Sequence, residues 1–156
     1  MKSLRQAQGF ILDMDGTFFL GKRLLPGALE FLALLNRLRI PFSFLTNNTS
    51  RSRADYVKKL MGFGVREADA RVFTAGDAAI RYLRVNYPGK KICLIGTRSL
   101  RDDFRAAGVR LDGRRPDAVV LGYDTELTYA KLVRLCRFAR QGLPYYATHP
   151  DINCPT

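Results

Sequence analysis

Apolar residues fall along this chain in short runs broken by glycine, proline and charge, and their spacing switches repeatedly between strand and helix periods. Phe10-Ile11-Leu12 is a β-forming run that ends in Asp13-Met14-Asp15-Gly16-Thr17. Phe18 to Lys22 is too short for an element of its own and is expected as a mobile flap. Pro26-Gly27 opens a helix in which Ala28, Phe31, Leu32, Leu35 and Leu38 form one buried stripe, and Pro41 blocks its continuation. A strand over 42–45 follows, ending in Thr46-Asn47-Asn48-Thr49-Ser50. The spacing then predicts a helix over 53–61 stopped by Gly62 and Gly64, a short strand Val72-Phe73-Thr74, and a helix over 77–86 that ends at Pro88-Gly89. The pattern restarts with a strand over 91–96, a helix over 100–107, a strand over 118–122, a helix over 128–140 and a strand over 145–148. In the 128–140 helix, Leu132, Leu135, Cys136 and Ala139 are read as the inward face.

Strand, helix and strand within about 35 residues make a βαβ unit, so the first two strands are parallel. The fold class is therefore α/β, in two successive segments. Pro88-Gly89-Lys90-Lys91 has the composition of a linker, and the domains are set at 1–80 and 81–156.

Parallel topology gives the polar residues a place. Ligands of open parallel sheets bind beyond the carboxyl ends of the strands, and both Asp13/Asp15 and Thr46/Asn47/Asn48 fall there. Side chains two apart in a strand leave on one face, so Asp13 and Asp15 share a small space. Two carboxylates that close need a cation or a proton between them, which points to metal binding or acid/base chemistry. A calcium loop is excluded: counted from Asp13, its required Gly and Glu positions hold Phe18 and Leu24. The hydroxyl and amide groups of Thr46, Asn47 and Asn48 suit the other side of a bound phosphate; they also suit the capping of the next helix.

Composition changes the picture little. At 156 residues and 47% hydrophobic, the chain can build a packed core. No apolar run approaches the about 18 residues that span a membrane. Met1 to Gln6 enters the first strand without a signal-type apolar region, so the reading is a soluble cytoplasmic protein. Cys93, Cys136 and Cys154 are odd in number and lack CxxC spacing; the first two lie in apolar patterns and are read as reduced core thiols. A net charge of +12 raises nucleic-acid binding as a third function class. The basic residues are scattered over helix faces without interleaved aromatics, which favours attraction of anionic phosphorylated substrates instead.

With these residues placed, the chain resembles the haloacid dehalogenase superfamily, in the branch of NagD-like, 4-nitrophenyl-phosphate and pyridoxal phosphatases. The resemblance is carried by Asp13-Met14-Asp15-Gly16-Thr17 with Leu20-Gly21, and by Leu45-Thr46-Asn47-Asn48 with Ser50. Pro26-Gly27-Ala28, Gly122-Tyr123-Asp124 with Leu127-Thr128-Tyr129-Ala130-Lys131-Leu132, and Ala147-Thr148-His149-Pro150-Asp151 point to this branch. It implies a Rossmann-like parallel-sheet core with an inserted α/β cap, and Mg²⁺-dependent hydrolysis of small phosphorylated metabolites. Asp13 would be the nucleophile that forms an aspartyl-phosphate, and Asp15 the acid and then the base. Mg²⁺ would be held by Asp13 and by Asp15 through its backbone carbonyl, and the phosphoryl group by Gly16, Thr46, Asn47 and Asn48. His149 would lie on a cap loop facing substrate, or be satisfied locally before Pro150.

The same resemblance implies a departure. The family's downstream Lys and metal-binding acids follow the cap, and the pattern here stops inside the cap, with the C-terminal part of the core missing. An alternative placement makes Lys90 or Lys91 the lysine and Asp124 the acid of a compact, capless phosphatase. On the truncated reading an apolar strand edge is left open, so self-association into a homo-oligomer and weak activity are expected. A remnant that binds a phosphorylated ligand or a partner without turnover is the alternative function.

Overall fold

The computed structural model describes residues 7–148 and places them in two compact units, one of residues 7–46 and 54–73, the other of 47–53 and 74–148. The division differs from the expected 80/81. The segment 47–53 and the helix that follows residue 74 go with the second unit, and Pro88-Gly89 is a turn inside it.

In chain order the first unit holds β1 (Phe10–Asp13), β2 (Phe19–Leu20), β3 (Arg23–Leu24), α1 (Ala28–Arg37), β4 (Phe42–Thr46), α2 (Arg53–Gly62) and β5 (Val72–Thr74). The sheet order is β1-β4-β5, and β1 runs parallel to β4 with Phe10 opposite Phe42 and Asp13 opposite Leu45. Phe42 and Phe44 turn inward to Leu32, Leu35, Tyr56 and Leu60, with Phe18 edge-on to Phe44 at 4.9 Å.

Two expectations change here. Residues 18–22 are not a loose flap: β2 and β3 form an antiparallel hairpin, and Phe18 and Phe19 at its root are buried in the core. Leu38 is exposed, because α1 ends at Arg37 and Leu38 lies past the last turn. Gly27, with φ 80°, takes the left-handed conformation that starts α1, and Ala28, Leu32 and Leu35 then line its buried face. Asp69 is the buried acid of this unit; Arg66 Nε donates to it at 2.7 Å and Asn36 Nδ2 at 2.9 Å. The Arg66 hydrogen bond, with that from Asn36, holds its carboxyl below the usual range against the opposing effect of burial.

The second unit holds α3 (Ala75–Asn86), β6 (Lys91–Ile95), α4 (Arg98–Ala106), β7 (Arg110–Leu111), β8 (Ala118–Leu121), α5 (Tyr129–Arg140) and β9 (Tyr145–Ala147). Its sheet order is β7-β6-β8-β9, parallel throughout. The strand β6 is buried on both faces: Ile92 and Leu94 meet Ile80, Leu83 and Leu100, while Cys93 and Ile95 meet Phe138. That explains its unbroken apolar run. Threonine hydroxyls start all three helices: Thr74 forms a reciprocal capping box with Asp77, Thr97 accepts from Leu100 N–H, and Thr128 from Lys131 N–H.

The inward face of α5 is also corrected. Leu132, Cys136 and Ala139 are exposed, Leu135 is half-buried, and Phe138 is the residue that enters the core. The inward stripe is Lys131, Arg134, Leu135 and Phe138. Its cations are accommodated: the Lys131 ammonium donates to Gly96 O, Glu126 O and Asp124, and Arg134 lies against Gly113, where a Cβ would meet its Nη1 at 3.0 Å. Cys93 is therefore the buried thiol, its pKa raised by burial against nearby arginines, and Cys136 is an exposed one; Cys154 lies outside the described residues. Among the described residues no helix is long and apolar enough to cross a membrane.

Candidate active site

The first carboxylate ends a strand. Asp13 is the last residue of β1, and its register partner Leu45 precedes the buried Thr46 that ends β4. Both groups thus stand at the carboxyl ends of neighbouring parallel strands, where Asp13 is exposed. The hydroxyl of Thr17 donates to Asp13 Oδ2 at 3.2 Å.

Beyond Asp13 the chain leaves β1, makes one bridge from Asp15 to Phe19 and turns. Met14 is fully buried between exposed Asp13 and half-buried Asp15, and the Asp15 carboxylate has one oxygen, Oδ2, that is buried from solvent. The Met14 carbonyl accepts from Phe18 N–H at 3.0 Å and from Phe19 N–H at 3.1 Å. Gly16, at φ 85°, occupies the left-handed position that lets the chain double back. Its N–H donates to Phe19 O at 2.8 Å. The buried aromatic hairpin behind this turn is what fixes the acids' backbone.

Asn47 and Asn48 follow Thr46 directly and are grouped with the second unit. Asn47 is exposed; Asn48 is half-buried, and its Oδ1 accepts the Ser50 N–H at 2.9 Å, a local turn around Thr49. His149 lies outside the described residues.

The capless placement has no support in the side chains it needs. Lys90 pairs with Asp117 at 3.8 Å and Lys91 with Asp112 at 3.4 Å, both at the amino end of β6, the wrong end of a parallel strand for ligand binding. Asp124 is buried against the Lys131 ammonium at 2.8 Å. These groups staple loops of the second unit.

Sequence reasoning missed Thr49. It is completely buried, accepts the Tyr123 N–H at 2.8 Å and shares a hydrogen bond with Thr148 Oγ1 at 3.1 Å. Its one sequence signal was its place next to Asn48.

Acidic residues one position apart at the carboxyl end of a strand offer oxygen ligands of the kind a hard divalent cation takes. Among the described residues no group of three or more His, Cys, Asp or Glu side chains gathers, so they build no closed protein cage for an ion.

Residues 10–110 match the family described as haloacid dehalogenase-like hydrolase. The 5'-nucleotidase YutF of Bacillus subtilis (strain 168) is 29% identical over 153 residues, covering 98% of this chain and 60% of that protein. The solved structure of 4-nitrophenylphosphatase from Thermotoga maritima superposes with a TM-score of 0.89 at 46% identity, over 96% of this chain and 57% of that one. That of the p-nitrophenyl phosphatase from Archaeoglobus fulgidus gives 0.86 at 27% identity, over 96% and 58%. The chain spans about three fifths of the length of these relatives. A family match over most of its length, on the segment that places Asp13 and Thr46 at adjacent strand ends, makes the chain a member of the haloacid dehalogenase-like hydrolases.

Proposed function

We propose that this chain carries the nucleophilic half of a Mg²⁺-dependent phosphomonoesterase for small phosphorylated metabolites. The observation that carries the reading is the exposed Asp13 carboxylate at the end of β1, steadied by Thr17 and set beside Thr46 on the parallel neighbour. The relatives' names, a nucleotidase and nitrophenyl phosphatases, share one reaction, cleavage of a phosphate monoester.

In this reading Asp13 attacks phosphorus as the ester bond breaks, and Asp15 gives its proton to the departing alkoxide. Asp15 then takes a proton from water, the water oxygen attacks the phosphorus of the aspartyl-phosphate, and Asp13 and inorganic phosphate are released. Thr46, Asn47 and Asn48 hold the phosphoryl oxygens. Asp13 and the Asp15 backbone carbonyl would hold Mg²⁺, which when bound offsets the charge that a carboxylate and a phosphate bring together.

Hydrolysis of 4-nitrophenyl phosphate with Mg²⁺ tests this. Asp13→Asn should lower turnover about a thousandfold or more, and EDTA should abolish what the unmodified chain shows. Turnover that survives Asp13→Asn overturns the nucleophile assignment. The second reading is phosphate binding without turnover. Saturable phosphate binding with no nitrophenol release would decide for it.

A further inference from the structure

Asn47 and Asn48 sit in an irregular segment, and such a segment can present donors to a phosphate only if something fixes its backbone. The second unit supplies that fixture at one residue. Thr49 is wholly buried, and its hydroxyl meets two strand ends: it accepts the Tyr123 N–H just after β8 at 2.8 Å, and it shares a hydrogen bond with Thr148 Oγ1 just after β9 at 3.1 Å. Those ends are tied to each other and to β6. The Thr148 N–H donates to Leu121 O at 2.9 Å, and the Gly122 N–H to Ile95 O at 2.8 Å. The approach is close: a Cβ at Gly122 would lie 3.1 Å from Thr49 Oγ1. Around Thr49, the Asn48 side chain closes a turn onto Ser50 N–H, and farther along the Arg53 N–H donates to Asp103 Oδ2 at 3.1 Å. The segment is therefore pinned at its middle and at its far end within one unit.

We infer that Thr49 is the positioning residue of the phosphate-binding segment: its hydroxyl, gripped by Tyr123 N–H and Thr148 Oγ1, sets the backbone that carries Asn47 and Asn48. The inference rests on the phosphatase reading of that segment. Thr49 touches no phosphate; it acts through the two residues before it. A threonine hydroxyl has one proton and two lone pairs, so it can serve the backbone donor and Thr148 together. Valine keeps the shape and loses both interactions. Serine keeps both.

The test is the affinity of the full chain for inorganic phosphate in saturating Mg²⁺, measured by calorimetry beside the melting temperature of each variant. Thr49→Val should weaken phosphate binding about tenfold, and Thr49→Ser should stay within about twofold of the unmodified chain. Where turnover is measurable, the Thr49→Val loss should fall mainly on KM. Thr148→Val leaves the Tyr123 N–H its acceptor and should give a smaller loss, about threefold; it serves as the readout should Thr49→Val not fold. Unchanged affinity in folded Thr49→Val, or in folded Thr148→Val where Thr49→Val does not fold, overturns this inference alone. Equal losses in the valine and serine variants overturn it too, by assigning the effect to packing. An unmodified chain that binds no phosphate overturns the phosphatase reading with it.

Discussion

Leu100 enters the core of the second unit through a gap that glycine leaves open. A Cβ built at Gly122 would lie 2.5 Å from Leu100 Cδ2, one at Gly96 2.9 Å from the same atom, and one at Gly76 2.9 Å from Cδ1. The buried leucine thus sits in a socket of three glycines drawn from α3 and from the ends of β6 and β8. Overpacking such a site forces side chains off their rotamers, so Gly122→Ala should cost about 1–3 kcal/mol in urea unfolding. An unchanged midpoint would show that Leu100 has room to turn away. The socket was illegible in the sequence, because Gly76, Gly96 and Gly122 meet Leu100 only once the chain is folded. Thr49 was hidden for the same reason, since its partners are 74 and 99 residues away. Asp13 and Asp15 were legible because their relation is local: two acids one residue apart at the end of an apolar strand carry their meaning in the spacing itself.

At the scale of elements, β4, β5, β6 and β8 followed from apolar runs between breakers, and α1 and α3 from their periodicity. What failed were two-residue strands and a helix face. The strand β7 and the β2–β3 hairpin are too short to show a period, and their identity comes from partners rather than from their own residues. Helix α5 offers two overlapping stripes, and the sequence reading chose the one free of charge. Lys131 wins a place on the inward side because its ammonium finds two carbonyls and a carboxylate there, compensation that no helical period can reveal. The consequence is measurable on the cysteines. In a Cys154→Ser background, Ellman's reagent should titrate one thiol in the native chain, Cys136, and two after denaturation. Cys93 is shielded by packing, and burial raises its pKa, so it holds little of the reactive thiolate. Two fast thiols in the native chain would restore Cys93 to the surface and undo the assignment of Phe138 as the residue that covers it.

At the scale of the molecule, the sheet of the first unit is covered on one face only among the described residues. Phe10, Leu12, Phe42 and Phe44 pack into the core, while the alternate positions leave Ile11 75%, Leu45 42% and Phe73 42% exposed. Parallel strands are ordinarily buried on both faces, and β1 in addition stands at the edge of the sheet with strand pairing on one side only among the described residues. Exposed apolar residues beside an open strand edge favour association, while the net charge of +12 opposes it through mutual repulsion. Salt decides between the two, because it screens the repulsion and leaves the apolar contact intact. Sedimentation of the chain should therefore show a mass that rises with concentration, and more steeply at about 0.5 M salt than at about 0.05 M, where the Debye length is several times longer. Ile11→Lys places a charge on the exposed side of the edge strand without entering the core, and it should move the association midpoint about tenfold higher in concentration. A monomer at every concentration and salt would refute the assignment. Association unaffected by Ile11→Lys would move the contact elsewhere, with the exposed stripe of Tyr129, Leu132 and Val133 on α5 as the next face to charge.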